Sequence, residues 1–145
     1  MKLTMLSLMI PMLASGMDRL VALSMIETGV DDYMVGSAGE ISRYQILKSE
    51  WHNVTNSTRY TDPQTARAVT LRLLEKRVQG FQNSFNRIPT DFELYALWNA
   101  PGQVMQRRVS RRVAERCHRF ANLCQTPWAT VQTAGVSQRT TATVF

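Results

Sequence analysis

The chain predicts a mainly α-helical single domain carrying one short, irregular, β-like loop. Three observations lead there. At 145 residues and 16.5 kDa there is room for one hydrophobic core. Apolar residues recur every three to four positions in several segments that open with recognisable helix caps. Between two of these, residues 30–43 hold Gly36, Gly39, Val35 and Ile41 with no 3.6-residue period, which reads as an irregular loop or short hairpin. A hydrophobic fraction of 44% against 19% charged excludes disordered and fibrous classes.

The first sixteen residues, "MKLTMLSLMIPMLASG", have the layout of a secretory signal peptide: Lys2, an apolar stretch from Leu3 to Leu13, then Ala14-Ser15-Gly16. The stretch is too short to span a bilayer. A buried first helix, or a start at Met17, are the other readings. No other apolar run approaches membrane length, so no transmembrane segment is expected. Residues 17–28 form a crowded apolar helix through Leu20, Val21, Leu23, Met25 and Ile26, with Asp18 at its positive end and Gly29 as its stop. Residues 46–52 suit a single helical turn.

Asp62-Pro63 then supplies an N-cap and an N1 proline, and Ala66, Val69, Leu73, Leu74, Val78 and Phe81 mark the apolar face that follows. Thr90 and Glu93 form a capping-box pattern ahead of Leu94, Leu97 and Trp98. A last helix is expected from about Gly102 to Cys124, with Val109, Val113, Cys117, Phe120 and Cys124 inward. Residues 127–145 lack period and, Arg139 apart, charge, and are expected to be a disordered tail. Cys117 and Cys124 on one helix would lie about 10 Å apart, too far for a disulfide, and read as small buried groups. His52 and His118 have no ligand spacing, so neither a metal nor another cofactor is expected.

Net charge is +6 and the pI about 9.9, which favours an anionic partner such as wall polymer, nucleic acid or lipid without choosing among them. Arg108, Arg112, Arg116 and Arg119 step along the last helix as a basic stripe, either a solvated face or an attractor of anionic polymer. No nucleic-acid motif accompanies it. Glu27, just inside the end of an apolar helix, has the desolvated setting that raises a carboxyl pKa, as a general acid requires, although a helix-end Glu can also reach water. Glu40 lies beside Gly36 and Gly39, which either admit a ligand or merely turn the chain. Asp31 and Asp32 look like solvated loop charges. Asn99, in "LWNAPG", is a helix-end cap or a ligand contact. Tyr44, Trp51, Tyr95 and Trp98 are core residues or sugar-stacking platforms.

Taken in order, "IETG", "VGSAGEISRYQI" and "ELYALWNAPGQV" resemble three blocks of the lysozyme-like lytic transglycosylases, in the superfamily of soluble lytic transglycosylases and goose-type lysozymes. There a Glu-Ser opens the site, a glycine-bounded stretch ends in Gln-Ile or Gln-Leu, and a Tyr-Asn-Ala-Gly-type motif follows. The similarity covers roughly residues 17–125. It implies a small lysozyme-like helical domain over residues 17–126, with the β-like loop beside an active-site groove that takes peptidoglycan strands. It also implies that Glu27 is the catalytic acid/base, with Glu40 orienting water or shaping the site. Thr28, Tyr44, Gln45, Trp98 and Asn99 would contact the glycan. Thr28 stands in place of the usual serine, Trp98 in place of tyrosine, and the glycine between Ala100 and Pro101 is missing.

The expected function is therefore that of an exported, periplasmic or extracellular, bacterial or phage enzyme. It would act as a monomer and cut the β-1,4 bond between N-acetylmuramic acid and N-acetylglucosamine. The alternatives are a weak or inactive lysozyme-like domain that only holds glycan, and a basic helical module for nucleic acid.

Overall fold

The computed structural model describes residues 17–125. The expected leader over residues 1–16 and tail over 127–145 lie outside the described residues. The fold is mainly helical: α1 Arg19–Thr28, α2 Lys48–His52, α3 Pro63–Phe85, α4 Asp91–Asn99, α5 Pro101–Met105 and α6 Arg111–Gln125. Among the described residues there is no strand, and the β-like loop is a tight turn closed by one antiparallel bridge between Ile41 and Ile46.

The caps follow the side-chain chemistry. Asp18 accepts hydrogen bonds from the Leu20 and Val21 amides at the start of α1. Asp62 accepts from the Thr65 amide ahead of Pro63. Thr90 and Glu93 close the capping box of α4. Gly29, at φ 66°, ends α1 in the left-handed conformation and turns its amide onto the Met25 carbonyl.

The short helix α4 is the hub. Tyr95, Ala96, Leu97 and Trp98 are buried in succession, so this helix is covered all round rather than on one face. It packs most extensively on α6 and also meets α3 and α5, while α1 lies on α6. The expected apolar face of α3 is buried from Ala66 to Phe81. Trp51, Phe81 and Phe120 are almost fully buried, each worth roughly 2–3 kcal/mol of transfer free energy. Trp51 also donates its indole N–H to the Ser57 carbonyl, holding the polar loop after α2 against the core.

The expected single helix from Gly102 to Cys124 is two helices. The chain turns left-handed at Arg107 (φ 54°), and the Gln103 side-chain oxygen accepts the Ser110 amide at 2.8 Å just ahead of α6. Val109 keeps the apolar rhythm going across this break while sitting in a loop, partly buried against the core, which is why periodicity alone bridged it. The basic stripe is also interrupted: Arg112 and Arg119 are exposed on α6 and Arg108 in the preceding loop, whereas Arg116 turns inward. Cys117 and Cys124 are free thiols on α6, pushed up by burial to about 11 and about 12, and so unreactive near neutrality.

Candidate active site

The loop between α1 and α2 is built by hydrogen bonds that its apolar anchors Ile41, Tyr44 and Ile46 pin to the core. Thr28 donates its hydroxyl to the Arg43 carbonyl at 3.0 Å and accepts the Asp31 amide at 3.1 Å, joining the end of α1 to both arms of the loop. Asp32 and Arg43 form a two-pronged ion pair across it. Gly36 and Glu40 close a small turn through the Gly36 amide and the Glu40 carbonyl at 2.9 Å. Ser42 and Gln45 adopt left-handed backbone (φ 65° and 52°), which makes room for the abrupt reversal between Ile41 and Ile46.

This loop, the end of α1, α4 and α6 enclose a cleft of about 410 Å³, within the usual range for small-molecule sites. Glu27, Glu40, Gln45, Trp98 and Asn99 all line it. Five of the seven residues singled out from sequence thus line one cleft, although they come from three separate segments. Thr28 and Tyr44 do not reach it. Thr28 is occupied by the loop contacts above. Tyr44 is buried, and its carbonyl accepts the Trp98 indole N–H at 3.2 Å. Both stand behind the cleft lining, Thr28 holding the loop to α1 and Tyr44 holding Trp98. Trp98, in its turn, ties the loop to α4 and is crossed by the Arg77 guanidinium 4.9 Å from its ring centre.

Glu27 is the most unusual acid in the molecule. Only 6% of its side chain is exposed. Its Oε1 accepts the Tyr95 hydroxyl at 2.6 Å, and its Oε2 accepts Arg116 Nη2 at 3.3 Å. Burial is the largest influence and drives its pKa above the ordinary carboxylate value, helped by the negative charge of Glu40. The hydrogen bond from Tyr95 and the charge of Arg116 oppose that rise without cancelling it. The Tyr95 phenol, itself fully buried, is pushed far above its usual value by burial and by Glu27, so it keeps the proton that it donates to Glu27.

Glu40 is set differently. Its carboxylate accepts the Ala38 amide at 2.9 Å and lies against Gly36. A Cβ on Gly36 would collide with Glu40 Oε2 and with the Gln45 side-chain oxygen. The absent side chain is what lets the two polar groups converge. Gln45 is fixed by donation to the Met34 and Ser42 carbonyls.

Four contributors were not assigned these roles from sequence. Tyr95 was weighed only as a core or stacking residue, and Arg116 only as part of a stripe. Arg77 and Glu50 carried no signal: Arg77 caps α4 by donating to the Leu97 and Trp98 carbonyls and pairs with Glu50 at the cleft edge. A larger recess of about 770 Å³ between α3, α4 and α5 is lined by Phe81, Phe85 and Phe92. Its acid, Glu93, is held as a carboxylate by Arg87, so it offers no proton donor. Among the described residues no group of three metal-ligating side chains comes together, and no helix is long and apolar enough to cross a membrane. No protein-family model, curated protein or solved structure matches the chain.

Proposed function

We propose that this protein is a lytic transglycosylase that cuts the β-1,4 bond between N-acetylmuramic acid and N-acetylglucosamine in peptidoglycan, outside the cytoplasm. The observation that carries the reading is Glu27: a nearly buried carboxyl on a cleft wall, with its pKa raised by burial. A glycosidic oxygen is a poor leaving group until it is protonated, and a carboxyl whose pKa is raised by burial is what the step needs.

Glu27 would give its proton to the glycosidic oxygen as the bond to the muramyl C1 breaks. The resulting carboxylate is stabilised by the Tyr95 hydroxyl and Arg116. It then takes the proton of the muramyl C6 hydroxyl as that oxygen bonds to C1, closing an anhydro ring and restoring the acid without consuming water. Trp98, Gln45 and Asn99 offer an aromatic edge and amides to the sugars in the same cleft. Glu40 would shape the site or hold a water. The exposed Arg108, Arg112 and Arg119 add a long-range attraction for an anionic wall.

The test is clearance of a cell-wall suspension by purified protein and by Glu27→Gln, with mass spectrometry of the released muropeptides. Anhydro products from the wild type and none from the variant are expected; undiminished clearance by Glu27→Gln removes Glu27 from the reaction. One observation favours a second reading, a domain that grips glycan without cutting it: Arg116 on Glu27 Oε2 stabilises the ionised form that cannot donate a proton. That reading predicts retention on insoluble peptidoglycan with no muropeptide released at any pH.

A further inference from the structure

The cleft offers a sugar amides and acids but no open aromatic face. Trp98 is 7% exposed, and the Arg77 guanidinium lies across its ring. Trp51 and Tyr95 are fully buried, each against another ring. Tyr33 is the opposite case. It stands 79% exposed on the loop between α1 and α2, and among the described residues no ring or cation packs on it.

That loop carries a large share of the exposed apolar surface. Among the described residues, eight large apolar side chains are exposed. Val30, Tyr33, Met34 and Val35 are four of them, and Leu47, on the cleft lining, is a fifth. Scattered singly such side chains need no account, but a cluster beside a cleft marks a binding surface. The backbone beneath them is fixed. Asp31 Oδ1 accepts the Tyr33 amide at 2.8 Å, and Asp32 is paired with Arg43. The Met34 carbonyl accepts Gln45 Nε2 at 3.3 Å, and Gln45, Gly36 and Ser37 line the cleft. Tyr33 therefore stands one residue from the backbone that borders the cleft.

We propose, building on the glycan reading above, that Tyr33 is a further sugar-binding residue outside the cleft, where it takes the continuation of a β-1,4-linked amino-sugar strand seated inside. Its ring packs on the apolar C–H face of a pyranose, while the phenol stays in water. Asp31 holds the Tyr33 backbone with one oxygen and leaves the other to accept a sugar hydroxyl. A glycan suits this loop better than a lipid surface does. Among the described residues no basic group pairs with Asp31, so its charge opposes anionic headgroups, and burying it among acyl chains is costly.

The experiment is isothermal titration calorimetry with chitobiose and chitohexaose, on full-length protein carrying Glu27→Gln so that neither probe is cut. The longer probe is expected to bind about tenfold or more tightly than the shorter. Adding Tyr33→Ala should remove most of that difference and leave chitobiose binding unchanged. Tyr33→Phe should keep the difference, because the ring face remains. Neither change touches the core, since the ring is exposed. A parent protein that binds chitohexaose no better than chitobiose, or binds neither, overturns the proposal. So does a Tyr33→Ala protein that keeps the difference, or a Tyr33→Phe protein that loses it. Cosedimentation with phosphatidylcholine–phosphatidylglycerol vesicles that is lost in Tyr33→Ala would make the loop a membrane contact instead, and overturns it too. Failure of the activity reading is a separate result, wall lysis retained by Glu27→Gln, and leaves this length dependence as it is.

Discussion

Glu27 sits in the last turn of α1 and Glu93 in the first turn of α4, and each is bonded to an arginine. Their carboxyls are nonetheless driven in opposite directions. Glu93 is pulled down to about 2, first by Arg87 and then by the Thr90 amide and hydroxyl, at the helix end whose dipole favours negative charge. Glu27 lies at the end whose dipole disfavours it, and its burial outweighs both its donors. The ion pairs differ in kind as well. The Glu93 pair is two-pronged and its arginine is half exposed, whereas Glu27 receives one long contact in a nearly dry site. An arginine neighbour therefore does not set the state of a carboxyl; what matters is how many donors reach it and how much water is excluded.

Neutralising each acid in turn gives the largest expected contrast. Glu27→Gln should lower the lytic rate by at least about 100-fold while leaving the circular dichroism spectrum intact. Glu93→Gln should leave the rate per folded molecule unchanged and cost about 1 kcal/mol of stability in urea melts, a figure discounted for the exposure of Arg87.

Gly36→Ala sharpens the other side of the comparison, the shape of the wall facing Glu27. The groups it displaces are the flexible ends of Glu40 and Gln45. Turnover should therefore fall by about tenfold or more with little change in melting temperature. An equally large loss of stability would instead make Gly36 a folding residue.

Tyr95→Phe removes the short bond to Glu27 and leaves Oε1 without that donor. It should cost about 1–2 kcal/mol in stability and move the pH-rate limb assigned to Glu27 upward, because a donor that favours the ionised form is gone. A limb that does not move would detach Glu27 from that ionisation.

The smallest effects are in the pH dependence of stability, and their signs differ. Glu93 has a folded pKa below its ordinary value, so its contribution is full above about 4.5 and lost as the pH falls towards 2. Glu27 has a folded pKa above its ordinary value, so its contribution is full below 4.5 and lost as the pH rises through the folded value. In urea melts across pH 2–7, the gap between wild type and Glu93→Gln should close on acidification. Wild type should lose ground to Glu27→Gln as the pH rises.

The parts of this molecule that were legible in advance are local. Asp18, Gly29, Asp62-Pro63 and Thr90 with Glu93 act within a turn of their own backbone, so their residue types suffice to mark where helices begin and end. The apolar face of α3 was legible for the same reason. The gathering of Glu27, Glu40, Gln45, Trp98 and Asn99 around one cleft was suggested only by motif order, since nothing in their local spacing brings α1 to α4. The break before α6 was not legible, because Val109 fits the helical rhythm while Arg107 leaves it. Nor were the partners that set the state of Glu27. Tyr95 and Arg116 lie 68 and 89 residues further along the chain. The sequence by itself determined the helices and supplied a carboxyl at the end of an apolar one. Only the tertiary structure decided that this carboxyl would be dry, bonded on one oxygen by a phenol and loosely paired on the other. Desolvation and long-range hydrogen bonding are properties of the packed assembly, not of any segment within it.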